Sequence, residues 1–172
     1  MTKIFEYTIC CMVFCITFNS CCDRDVDLSL PEITTSGLNT FGCYVDDILF
    51  VYSPGSGVLG DSPINGTYHE EINTLGIFSH AKKNLFISLI DSIVEVGKTY
   101  ELSDALFRDN NTWYDLCKDM PSELCILKLD LENNIACGTF QFKARNPESG
   151  VIKTITNGRF DIKMSYTNFG LR

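Results

Sequence analysis

Ile135-Ala-Cys-Gly-Thr-Phe-Gln-Phe-Lys-Ala144 decides the fold. Gly138, Phe140, Phe142 and Ala144 alternate with Thr139, Gln141 and Lys143. Successive side chains of a strand point to opposite faces, so this run reads as a β-strand with one core face and one wet face. The period returns downstream of the turn Asn146-Pro-Glu-Ser-Gly150, where Phe160, Ile162 and Met164 alternate with Arg159, Asp161 and Lys163. Upstream, Leu124-Cys-Ile-Leu-Lys-Leu-Asp130 leads into the turn Glu132-Asn-Asn134.

Further out, Phe41 to Val45 and Ile48 to Tyr52 flank Asp46-Asp47, a two-residue hairpin signal. That loop length pairs Val45 with Ile48 and Cys43 with Phe50, placing Phe41, Cys43, Val45, Ile48, Phe50 and Tyr52 on one face. Residues 53–69 are rich in Gly, Pro and Ser and read as a long loop. Leu75 to Ala81 and Leu85 to Ile90 flank Lys82-Lys-Asn84 as a second hairpin. Its second arm is apolar on both faces and runs on to Val96, as a central strand does. Gly97-Lys98 then turns into Thr99-Tyr-Glu-Leu102. The pattern over residues 103–123 is ambiguous. Asp104 to Phe107 reads as the start of a helical turn capped by Ser103, and Thr112 to Cys117 as an edge strand. The whole pattern predicts an all-β fold, an antiparallel sandwich or small barrel of about eight strands. No βαβ rhythm, heptad or internal repeat is present.

The chain has 172 residues, the size of one domain. It is 45% hydrophobic and 12% aromatic, which excludes whole-chain disorder. Fourteen Lys+Arg against twenty-two Asp+Glu give a net charge of -8. Nucleic-acid binders cluster cations against phosphates, so a nucleic-acid partner is not expected.

The N-terminus reads as an address. Ile9 to Phe18 is apolar but covers only about half of a hydrocarbon core, too short for a span and right for the core of an export signal. Phe18-Asn-Ser-Cys-Cys22 follows, and Ser20 before Cys21 resembles the lipobox of bacterial lipoproteins. The resemblance implies cleavage before Cys21 and a thioether-linked lipid on it, a membrane anchor that needs no spanning helix. The expected organisation is a signal over 1–20, lipidated Cys21 with an acidic tether to 32, and an antiparallel β domain over 33–172. Acidic residues after the cysteine (Asp23, Asp25, Asp27) resemble the signal that sends Bacteroidota lipoproteins to the outer face of the outer membrane. That face is expected ahead of the periplasmic one.

Ile33-Thr-x-x-Gly-x-x-Thr-Phe-Gly-Cys43, Gly97-x-x-Tyr100, Leu129-Asp130, Gly138-Thr-Phe-x-Phe-x-Ala144 and Ile155-Thr-x-Gly-Arg-Phe-Asp161 occur in that order. This order resembles a family of small Bacteroidota lipoproteins of unknown function, over about residues 31–166. Asp46-Asp47 stands where that family usually has Asn-Gly, and Cys137 where a small polar residue is usual. The resemblance implies location and architecture and transfers no catalytic residue.

Among local motifs, Gly158-Arg-Phe-Asp161 reads chiefly as structure: a bulge or turn at Gly158, Phe160 in the core, Arg159 and Asp161 as same-face neighbours. The competing reading makes Arg159 and Asp161 a surface ligand contact. His69-Glu-Glu71 with His80 lacks zinc spacing, and Asp109-Asn-Asn111 with Asp115 and Asp119 lacks the glycine and terminal Glu of a calcium loop. No metal or other cofactor is expected. Cys43 lies on the core stripe and reads as a small hydrophobe. Cys117 and Cys125 across their short loop are the candidate disulfide, which an exported compartment permits. Trp113, Tyr114 and Tyr68 are the ligand-binding candidates if their rings line one groove, since exposed rings stack on sugars or apolar ligands. The expected activity is a non-catalytic binding or accessory module for a glycan, a small apolar molecule or an envelope protein. The alternatives are a structural envelope component without a ligand and an uncharacterised hydrolase.

Overall fold

Two glycine–phenylalanine pairs lock the centre of the sheet. The computed structural model describes residues 29–51, 64–80, 83–90 and 94–165. The export signal, Cys21 and most of the acidic tether lie outside the described residues, as do Tyr52 and loop 53–63. Strands β10 (Ile135–Arg145) and β11 (Ile152–Lys163) pair antiparallel, with Gly138 opposite Phe160 and Phe140 opposite Gly158. Each ring lies over the glycine of the neighbouring strand, and the two rings tilt against each other at 6.4 Å. A Cβ at Gly138 would sit 2.7 Å from the Phe160 ring, so only glycine leaves room. The register shifts just before Gly158, a bulge in which Asn157 takes φ 52°. Asn tolerates the left-handed region that such a bulge requires.

The first hairpin forms as its pattern predicts. β1 (Thr40–Val45) and β2 (Ile48–Val51) pair Val45 with Ile48 and Cys43 with Phe50. Asp46 and Asp47 both have positive φ, the geometry of a primed two-residue turn. Phe41, Cys43, Val45 and Phe50 are buried, whereas Ile48 at the tip is 67% exposed because the hairpin overhangs the core there. All seven non-glycine residues with positive φ among those described are Asn or Asp. Five of them, Asp46, Asp47, Asn73, Asn110 and Asn134, close strand connections, so turn chemistry is written into these two residue types.

β1 adds to β11 on the edge opposite β10. The other arm of the sheet consists of β3 (Ile64–His69), β4 (Thr74–His80), β5 (Lys83–Ile90), β7 (Asp104–Asp109) and β8 (Thr112–Leu116). It joins β10 through β8, at Ala144 and Arg145. β6 (Thr99–Tyr100) and β9 (Glu123–Asp130) form a branch on the other part of that β10 edge. The result is an all-β fold, one antiparallel sheet of eleven strands curled into a half-barrel. The free β3 edge returns to the end of β11, where the Ser165 N–H donates to Gly66 O at 2.9 Å. Phe41, Phe107, Ile87, Ile126, Ile155 and Ile162 meet in the concave core.

The structure departs from the expected strand pattern in three local ways. Residues 64–69, expected in the long loop, form β3 because Ile64, Gly66 and Tyr68 bury one face against the sheet. Asp104 to Asp109 is a strand rather than a helical turn, since Ala105 and Phe107 are buried with period two. β8 is interior, paired with both β7 and β10. Conversely, β5 stops at Ile90, and Val96 lies in an exposed turn.

The segment before β1 is part of the globule. Residues 30–37 form a strap across the outer face of β1, β11 and β10. Leu30 and Pro31 cover Gly42, and the Arg159 guanidinium donates from Nη1 to Pro31 O at 2.8 Å. The domain therefore takes in the last residues assigned to the tether. Farther along, Asp161 accepts from Thr34 Oγ1 at 2.6 Å, from the backbone N–H of Ser36 at 3.0 Å and Gly37 at 2.6 Å, and from Cys137 Sγ at 2.9 Å. Burial pushes this carboxyl up, but the four donors outweigh it and hold it below the usual carboxylate range.

Candidate functional site

Strand register lays a row of polar side chains across the outer face. Thr99 on β6 pairs with Cys125 on β9, Cys125 with Thr139 on β10, and Thr139 with Arg159 on β11. Strands are spaced about 4.8 Å apart, so the row spans roughly 14 Å. A second row lies beside it, with Glu123 opposite Gln141 and Asn157 in the bulge. The strap, through Ile33, supplies a wall. These residues enclose a groove of about 280 Å³, near the lower limit of small-molecule sites.

The groove has a cationic and an anionic end. At the β9 end, Gln141 Nε2 donates to Glu123 Oε2 at 2.8 Å, which fixes the amide. At the β11 end, Arg159 is held by its bond to Pro31, while its buried Nε has no hydrogen-bond partner. A buried donor left unmet costs about 1–3 kcal/mol, which the bond of Nη1 to the strap helps to offset. Bulges re-aim side chains next to binding sites, and the one at Asn157 forms part of this floor. The groove thus offers hydroxyls, amides, a thiol, one carboxylate and one guanidinium, a set suited to hydrogen-bonding a polar molecule. Among the described residues no histidine lines it, and no three of His, Cys, Asp and Glu are gathered to hold a metal.

The three aromatic candidates do not share it. Tyr68, on β3, is buried and donates its hydroxyl to Asn73 Oδ1 at 3.0 Å. Tyr114 is buried on β8 with its ring 5.8 Å from Phe107. Only Trp113 is exposed, at 43%, with the Arg108 guanidinium 4.9 Å over its ring at the far end of β8. Alternation along β8 sends neighbouring rings to opposite faces, which is why Trp113 and Tyr114 part company.

The expected Cys117–Cys125 disulfide is not formed; both thiols are free. Cys117 sits across from Lys143 of β10, through its N–H to the Lys143 carbonyl, and Cys125 across from Thr139. Four residues along one strand place them roughly 13 Å apart, where a disulfide needs Cα atoms about 4.4–6.8 Å apart. Burial pushes the Cys43 thiol up to about 12. Cys137 rises to about 12 through burial and then through its bond to Asp161. Burial also raises Cys117, against the pull of nearby Arg145. Such thiols are poor nucleophiles.

Arg159 and Asp161 divide the two roles their motif offered. Asp161 is structural, spent wholly on the strap and Cys137; Arg159 is shared between strap and groove. Glu123, Thr139, Gln141 and Thr99 carried no signal in the sequence, because polar outward positions look alike whether they face a groove or open water. Comparison with protein-family models, curated proteins and solved structures found no match to this chain.

Proposed function

We propose that this chain is a lipid-anchored module of the outer membrane, facing the cell surface, that binds a glycan without chemically altering it. The observation that carries the reading is the cross-strand polar row Thr99–Cys125–Thr139–Arg159 flanked by Glu123, Gln141 and Asn157. Side-chain amides and hydroxyls at strand spacing match the hydroxyl-rich edge of a sugar, whereas an apolar ligand would leave them unmet. The concave face favours the same choice: Ile87, Phe107 and Ile126 fill it. The anchor reading rests on Ser20-Cys21 after an apolar segment and on the acidic residues that follow. Among the described residues no helix is long and apolar enough to cross a membrane.

The test has two parts. Cells expressing wild type or Cys21→Ala are fed a palmitate analogue and shaved with protease; label on the wild type alone, with shaving of intact cells, is expected. The detergent-solubilised full chain is then titrated with monosaccharides, and Thr139→Val with Gln141→Leu should abolish binding while leaving the urea midpoint in place. Equal labelling of both chains removes the anchor, and sugar binding that survives the groove variants removes the site.

A further inference from the structure

We infer that residues 30–37 form an autoinhibitory cover: they occupy the continuation of the groove floor, and lifting them as one piece opens that floor to a longer sugar chain. The occupant rests on the glycan reading above; the lifting does not. Two polar rows run side by side across the outer face. Beside the open row that ends in Thr139 and Arg159, Lys128 on β9 pairs with Cys137 on β10, Cys137 with Asp161 on β11, and Asp161 with Thr40 on β1. Cys137 and Asp161 stand two residues from Thr139 and Arg159 on the same face, about 7 Å along their strands. The strap lies over this second row. Asp161 accepts from Thr34, Ser36 and Gly37, and Lys128 Nζ donates to Thr35 O at 3.3 Å. Ile33, the residue before Thr34, walls the open groove.

The cover is fastened differently from the strands beneath it. Among the described residues no backbone–backbone hydrogen bond joins residues 30–37 to the sheet. Three side chains hold it, Asp161, Lys128 and Arg159, with Leu30 and Pro31 resting on Gly42. Glu32, Ile33, Thr35 and Ser36 are exposed. Segments with few buried contacts and exposed hydrogen bonds open locally, at a lower free energy than global unfolding. The pivot is the end that leads into β1. Gly37 and Asn39 have positive φ, and Asn39 Oδ1 accepts from the Lys163 N–H at 2.8 Å, so the chain is held again just before Thr40. β1 therefore keeps its place when the cover lifts.

The contacts of the cover stand in for those of a sugar. Asp161 receives one hydroxyl and two N–H groups from it, and Lys128 donates to one of its carbonyls. Sugar hydroxyls donate to a carboxylate and accept from an ammonium in the same way, so a second ring replaces like with like. The open groove, at about 280 Å³, is near the lower limit of small-molecule sites, and a longer chain needs the floor that the cover occupies. Cys137 reports the movement. It is fully buried on the outer face, apart from the apolar core cluster, with Asp161 beside it. Cys43 is fully buried within that cluster, and Cys125 lines the open groove.

Alkylation of the detergent-solubilised full chain with N-ethylmaleimide, read at each cysteine by mass spectrometry, tests the lifting. Cys125 should react first, Cys137 next, and Cys43 only on global unfolding. Thr34→Val removes one donor to Asp161 and should speed Cys137 at least about fivefold, with Cys43 unchanged. Cys137 as slow as Cys43, or both accelerated together, overturns the cover. Calorimetric titration with glucose, galactose, maltose and lactose tests the occupant. A closed cover weakens apparent affinity by the open fraction, so Thr34→Val should tighten the disaccharides by the same factor and leave the monosaccharides unchanged. Equal changes for the two classes, or none, overturn the second subsite and leave the glycan reading standing. No binding by any of the four removes the glycan reading, while alkylation still decides the lifting.

Discussion

The β10–β11 pair and the β4–β5 pair bury similar inner faces and carry opposite outer ones. Inward, Phe140, Phe142, Phe160 and Ile162 on one pair correspond to Leu75, Ile77, Leu85 and Ile87 on the other. Outward, β10–β11 presents Cys137, Thr139, Arg159 and Asp161, while β4–β5 presents Phe78 stacked on Phe86 at 4.6 Å. The strap makes the difference. A carboxylate under a segment of chain can be fully buried because that segment brings donors; the outer face of β4 and β5 carries half-buried rings instead. The inner face follows from hydrophobic alternation alone, and the outer face from what crosses it.

Glycine separates the pairs most sharply. At Gly138 a Cβ would press on both the Cys125 carbonyl and the Phe160 ring; at Gly76 the nearest atom is Thr67 Oγ1 at 3.2 Å. Gly138→Ala should therefore cost about 3 kcal/mol, the upper part of the overpacking range. Gly76→Ala should stay within about 1 kcal/mol, helped by the smaller entropy of the unfolded chain. Urea midpoints compare them, and equal losses would mean that the Gly–Phe interlock is ordinary strand packing.

Next in size is Asp161→Asn, at about 2 kcal/mol. The amide keeps one acceptor but turns an NH2 toward a donor. The Thr34 hydroxyl can rotate to accept, whereas the backbone N–H groups of Ser36 and Gly37 cannot. Hydrogen exchange should accelerate at those two amides while the amides of β4 and β5 stay protected. Faster exchange spread evenly over the sheet would show that the strap does not move as a unit.

Acid should reproduce that effect more gently. Asp161 is depressed in the folded chain, so it binds fewer protons there than in the unfolded one. Its contribution is complete above the unfolded carboxyl pKa near 3.9 and fades as pH falls through the lower folded value. Protection of Ser36 and Gly37 should decline below about pH 4. In Asp161→Asn that decline should be absent, and a persisting decline would assign the proton to another group.

The same contrast explains what could be read in advance. Hairpins were legible where two signals agreed, as at Asp46-Asp47, where turn residues sit between alternating runs. β7 was not, because Asp104-Ala-Leu-Phe107 is too short to tell a period of two from one of 3.6, and only pairing with β5 settles it. Glycines at 138 and 158 were visible as letters, but their reason is a ring on the neighbouring strand, Phe160 and Phe140 respectively. The groove was least legible. Its floor is assembled from four strands by register, and the role of the strap that walls it carries no periodic signal, because Thr34, Ser36 and Gly37 act through hydroxyl and backbone donors.

The smallest effect lies at the surface, where nothing covers the charge. Arg108 stacks over Trp113 and donates from Nε to Asn110 O at 2.7 Å, bracing the tip between β7 and β8. An exposed cation–π contact is worth about 0.5–1 kcal/mol. A double-mutant cycle with Arg108→Gln and Trp113→Leu should return a coupling near the lower end, since the ring is 43% exposed. It should fall short of the loss at Asp161→Asn, although both sites join a charged side chain to its neighbours. At Asp161 the donors are fixed by the strap and left buried when the carboxylate goes; at Arg108 water replaces whatever is removed. A coupling as large as 2 kcal/mol would place Trp113 in a desolvated setting that its exposure excludes, and would break the distinction between covered and bare faces.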